Sequence, residues 1–149
     1  MQTPLDTTTI GAFAKPEYLP IRDWFDLARQ TGGMNTPKTT HKYSVDVKKN
    51  KNTHEALFIR AAKEIIGIQL RAGISIPTDG EVRRENYIHY HCRHLDGFDF
   101  DNLEHRTLRD GAYETVLPAI RSRITHTKKA YSSHDYRASQ AVSPKPVKF

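Results

Sequence analysis

Apolar residues recur along this chain in two rhythms, every three or four positions in some stretches and in short unphased clusters in others. The clearest helical stripe lies in 53–72, where Phe58, Ala62, Ile65, Ile66 and Leu70 form one apolar face and Arg60, Lys63 and Glu64 lie away from it. Thr53 is placed to cap this helix, Glu55 puts negative charge in its first turn, and Gly73 closes it. ISI at 74–76 follows as a short strand ending at PTDGE. A helix, one glycine and a brief apolar strand form the αβ half of a βαβ unit. An earlier strand is predicted at TTTIGAF, 7–13, where β-branched residues lead into Gly11. Between the two, the spacing of Trp24, Leu27 and Ala28 predicts a helix over 21–30, ended by Gly32 and Gly33. Residues 34–52 are polar and read as an exposed loop with a short extended piece at YSVDV.

In the second half, 83–95 reads as a helix with Tyr87, Ile88, His91 and Leu95 inward, left through a turn at DGFDF. YETVLPAIRSRI, 113–124, alternates weakly and reads as two extended segments broken at Pro118. A helix over 133–141 with Ser133 as its cap precedes PKPVKF, the start of a third strand. The count is about three principal strands with intervening helices. A parallel sheet needs both faces covered, and a closed (β/α)8 barrel takes about 250 residues. The chain therefore reads as a small open α/β domain or as the opening part of a longer barrel.

Composition narrows the class. The 149 residues carry a net charge of +6, with 37% hydrophobic and 27% charged residues, which is globular and on the polar side. The basic residues are scattered, and no helix gathers them on one side, so a nucleic-acid partner is not expected. No apolar run approaches the roughly 18 residues of a membrane span. A single cysteine excludes an internal disulfide framework, and no signal peptide is visible. The expectation is a cytoplasmic protein.

Three stretches could carry chemistry. HYHCRH, 89–94, has metal-ligand residue types, but a zinc site needs about four converging ligands. On a helix, His91 and Cys92 point about 100° apart. Catalysis by Cys92 would need an activated thiolate and an oxyanion feature, and the sequence supplies no such feature. PTDGE is different, because it sits where a strand ends, and α/β folds bind ligands outside the carboxyl ends of their strands. TIGAF makes a second loop of the same kind. If the two strands are parallel neighbours, both loops open on one side. Backbone N–H groups at Gly11 or Ala12 could then hold an amino acid's carboxylate, and Glu81 its ammonium.

TTTIGAF, QLRAGISIPTDGEVRRENYIHYHCRHLDGF, VLPAI and SQAVSPKPVKF, in this order and spacing, resemble the start of the catalytic barrel of the cobalamin-independent methionine synthase family. The resemblance implies an α/β fold, the first few βα units of a TIM barrel, with residues 1–149 as its N-terminal portion and the barrel continuing beyond Phe149. It implies methyl transfer to the thiol of homocysteine, a small-molecule amino-acid substrate, by a complete zinc-dependent barrel. In the family an Ile-Gly-Ser turn and the Glu of a GExxR element contact homocysteine, which carries over to Ile10, Gly11, Ala12 and Glu81, with Ala in place of Ser. The family's zinc ligands, a His-x-Cys pair, a Glu and a later Cys, fall beyond the matched segment. An Arg-Cys pair of the family's folate site is replaced by Glu114 and Thr115, which leaves the methyl donor open between methyltetrahydrofolate and another carrier. Two alternatives stand beside this reading. One is a decarboxylase-type barrel in which Arg83 and Arg84 meet an acidic substrate, and the other is a non-catalytic basic binding module.

Overall fold

The computed structural model describes residues 5–21, 37–126 and 131–149. The helix expected over 21–30 falls almost wholly outside them. The chain divides into two compact units, one built from Met1–Pro20, Asn52–Arg83 and Ala130–Phe149, the other from Ile21–Lys51 and Arg84–Lys129.

The first unit is organised by α2, Lys51–Arg71, which follows α1, Pro37–Lys49, of the other unit. Its buried residues, His54, Phe58, Ala61, Ala62, Ile65, Ile66 and Gln69, repeat at three- and four-residue spacing and so make one continuous face. The helix begins two residues earlier than the sequence suggested, which puts Thr53 inside the first turn rather than at the cap. It ends in a left-handed closure around Gly73, φ 84°, where the N–H of Ile74 donates to Gln69 O at 3.0 Å and that of Gly73 to Leu70 O at 3.1 Å. This turn delivers the chain directly into the extended segment at 74–78.

Two parallel bridges tie that segment to its neighbours, Thr8 with Ile76 on one side and Thr78 with Lys148 on the other. The three stretches expected as strands thus run side by side and point the same way, though each pairs through isolated bridges only. Gln69 explains how the middle one is held after Pro77 interrupts the ladder. Its amide donates to Thr78 O at 2.8 Å, and its Oε1 accepts from Thr78 N–H at 2.9 Å and from the Thr9 hydroxyl at 2.8 Å. A side chain of α2 therefore replaces the missing backbone pairing. The last helix, α4, Tyr131–Gln140, starts before Ser133, so that residue also lies within the first turn.

In the second unit, α1, Pro37–Lys49, corrects the expectation of a loop with an extended piece. Thr40, Tyr43, Ser44 and Val47 share one side at helical spacing, and Thr40 is fully buried. Its polar members, Thr40 and Ser44, leave no apolar periodicity along this stretch. The helix expected over 83–95 shrinks to α3, His89–Cys92. Asn86 Oδ1 accepts the N–H groups of Ile88 at 2.8 Å and His89 at 3.0 Å, a local bond that competes with helix continuation. Tyr87 and Ile88, expected inward, are 60% and 51% exposed.

From Leu95 the chain enters an antiparallel hairpin, β1 Leu95–Leu108 and β2 Tyr113–His126. DGFDF is thus strand, not turn. Pro118 does not split β2 in two; the strand runs through it, and the ladder slips there instead, with residues 100–103 opposite that one proline. Arg93 anchors the base of the hairpin. Its Nε meets the fully buried Glu85 carboxylate at 2.5 Å, and its guanidinium lies 4.0 Å from the Phe100 ring centroid.

Candidate amino-acid-binding rim

The carboxyl ends of the first two extended segments carry the residues singled out by sequence. Ile10 is 94% exposed, Gly11 and Ala12 are exposed, and Gly11 has φ 87°, a left-handed turn with open space around it. Glu81 is half-buried and is held at φ 58°, a conformation that a residue with a Cβ rarely adopts. The loops that bear these residues are bonded to each other, since the N–H of Phe13 donates to Gly80 O at 3.1 Å.

The turn at 79–81 is fixed from several sides. Gly80 N–H donates to the Thr78 hydroxyl at 3.2 Å, and Glu81 N–H donates to Asp79 Oδ1 at 3.0 Å. Asp79 is only 2% exposed, and its second carboxylate oxygen has no hydrogen-bond partner among the described residues. Backbone strain persists where its surroundings over-determine it, and such strain gathers at functional sites. Asp79 belongs to the PTDGE turn that the sequence points to, whereas Gln69 was not expected at the site. Gln69 left one readable sign, a polar side chain in phase with the apolar stripe of Ala62, Ile65 and Ile66.

Arg83 has another occupation. It is 6% exposed, donates to both oxygens of Glu55 at 2.7 and 2.8 Å, lies 3.9 Å from Asp135 on α4, and faces the Phe58 ring. It joins α2 and α4 to the chain just past the rim. A guanidinium matched by a bidentate carboxylate is a structural pin, so it does not serve the decarboxylase alternative, which needs it against a substrate.

The histidine-rich run gives no metal cluster. Among the described residues, no three or more His, Cys, Asp or Glu side chains converge to hold an ion. Burial pushes the Cys92 thiol up from its ordinary value, which disfavours the thiolate. His89 is buried with its ring edge-on to Phe100, 6.1 Å between centroids. No helix among the described residues is long and apolar enough to cross a membrane.

No family model matches the chain, but curated relatives do. Methionine synthase of Sulfolobus acidocaldarius is 31% identical over 98 residues, 66% of this chain and 24% of that protein. Methionine synthase of Saccharolobus solfataricus is 30% identical over 96 residues, 64% of this chain and 24% of that protein. The 5-methyltetrahydropteroyltriglutamate–homocysteine methyltransferase of Synechococcus sp. is 25% identical over 145 residues, 97% of this chain and 17% of that protein. The solved B12-independent methionine synthase from Shewanella sp. W3-18-1, in complex with selenomethionine, matches with a TM-score of 0.68 at 22% identity, covering 96% of this chain and 36% of that one. The chain spans about a quarter or less of the length of these curated relatives. Over that span, the chain is similar to part of these methionine synthases.

Proposed function

We propose that this chain is the N-terminal portion of a methionine-synthase-like (β/α)8 barrel and supplies part of the homocysteine pocket of a methyltransferase. The observation that carries the reading is the bonded pair of loops at 10–13 and 79–81, on parallel neighbours, with an acidic residue in a strained turn at the centre. The names of the relatives, and the amino-acid ligand of the Shewanella structure, support the substrate class.

The division of labour follows from the groups present. Glu81 takes the ligand's ammonium through a charge-assisted hydrogen bond. Exposed backbone N–H groups at Gly11 and Ala12 take its carboxylate, in a role that is indifferent to the loss of a serine hydroxyl at position 12. Both ends of the amino acid are then fixed, and its side chain is left to project from the rim. Zinc in the complete protein would make the thiolate at neutral pH. Among the described residues no three or more ligand-type side chains converge to hold such an ion, and binding and orienting the amino acid is the step this reading gives the chain.

Titration calorimetry with L-homocysteine tests the assignment. Glu81→Gln keeps the shape of the side chain and removes its charge, and is expected to weaken binding by about 1.5–3 kcal/mol. Unchanged affinity would remove Glu81 from the site.

A further inference from the structure

Lys148 stands on the third extended segment, in parallel register with Thr78, and its backbone N–H donates to Pro77 O at 2.9 Å. Its side chain is exposed and its Nζ donates to the Thr9 carbonyl at 2.5 Å. The ammonium thus reaches past the middle segment to the first and arrives at the carbonyl immediately before Ile10, Gly11 and Ala12. An ammonium has three N–H donors, and Thr9 takes one of them.

Charge makes the position significant. The rim carries two carboxylic side chains close in sequence, Asp79 and Glu81. A cation beside the 10–12 loop favours an incoming carboxylate there more than neutral amides alone would. Two arginines of this unit are matched by carboxylates, Arg83 by Glu55 and Arg60 by Glu64. Lys148 instead meets a neutral carbonyl, which leaves its charge unmatched among the described residues, beside the loop that would take the carboxylate.

We propose that Lys148 is a substrate-binding residue, its ammonium pairing with the amino acid's carboxylate while it holds the 10–12 loop through Thr9. This rests on the amino-acid reading of the rim and adds a specificity to it. Lys148 selects ligands that carry a carboxylate, and Glu81 selects those that carry an amine.

The test is calorimetric titration of the full chain and its Lys148→Gln and Glu81→Gln variants with L-homocysteine and with its decarboxylated analogue, which keeps amine and thiol. Lys148→Gln is expected to weaken homocysteine binding by about tenfold to a hundredfold and to leave the analogue within about twofold. Glu81→Gln weakens both ligands. Equal weakening of the two by Lys148→Gln would assign that residue to loop support alone and overturn the proposal, as would no change with either. Should Lys148→Gln fail in this way while Glu81→Gln weakens both, the amino-acid reading stands without Lys148. Should Glu81→Gln change nothing, or the unaltered chain bind neither ligand, both fall together. Lys148 is exposed, so its variant keeps the fold, which the far-ultraviolet circular dichroism and melting midpoint report.

Discussion

Gly80 carries two constraints that no other residue type satisfies together. Its φ of 68° is left-handed, and a Cβ built there would stand 2.8 Å from Ile65 Cγ2 and 3.1 Å from Phe13 Cβ. The glycine lets α2 and the first loop approach the rim on both sides, and it starts the left-handed turn that Glu81 continues. Gly80→Ala is therefore expected to cost about 1–3 kcal/mol, the sum of backbone strain and overpacking against Ile65. Urea denaturation measures it, and a loss within a few tenths of a kcal/mol would show that α2 yields at that contact. The left-handed Glu81 itself costs on the order of 1 kcal/mol. Its N–H bond to the buried Asp79 offsets part of that cost, which ties the geometry of the acid to a residue that need not touch the ligand.

At the scale of elements, legibility in the sequence followed the chemistry of the buried face. The stripe of α2 is mostly aliphatic, so its period was plain from Phe58 to Ile66, and its closure followed from Gly73. The stripe of α1 runs through Thr40 and Ser44, and its burial comes from contacts made elsewhere in the fold, so local pattern could not reveal it. In the stretch after Glu81 the histidines and tyrosines fit helical spacing, whereas Asn86 and the cross-strand pairing of 95–108 decide the outcome. The rim was legible in part. Its loops could be located from strand ends, and Asp79 acts within its own turn, but Gln69 and Lys148 reach Thr9 through hydrogen bonds spanning 60 and 139 positions, which no local window contains.

The short helix α3 also carries a titration. Burial, and then the Arg93 guanidinium, hold the His89 imidazole down at about 4, from an ordinary 6.5. The unfolded chain takes up the proton first, so this contribution to stability is full above about pH 6.5, declines as pH falls, and levels off below about 4. The gap corresponds to about 3 kcal/mol. Between pH 7 and pH 4 the unaltered chain should lose about that much more stability than His89→Gln, in denaturant titrations of each. Parallel pH profiles for the two would show that His89 titrates normally in the fold.

At the scale of the whole molecule, the division between amino-acid grip and metal chemistry can be tested directly. All eight histidines and the single cysteine lie among the described residues, and the segments outside them contain neither type. No three or more ligand-type side chains among those described converge on one point. Among the described residues a zinc ion would therefore find at most two such ligands, short of the roughly four that a tight site uses. The rim, by contrast, uses a carboxylate, backbone amides and an ammonium, and none of these requires a metal to be in place. Two consequences separate. After dialysis against zinc-free buffer, the chain should hold well below one zinc per molecule by atomic absorption. Its affinity for L-homocysteine should be the same with and without a chelator. Stoichiometric zinc would mean that the histidine-rich run rearranges into a site, and homocysteine binding that vanishes with chelator would mean that the thiol, rather than the two charged ends of the amino acid, is what this chain holds.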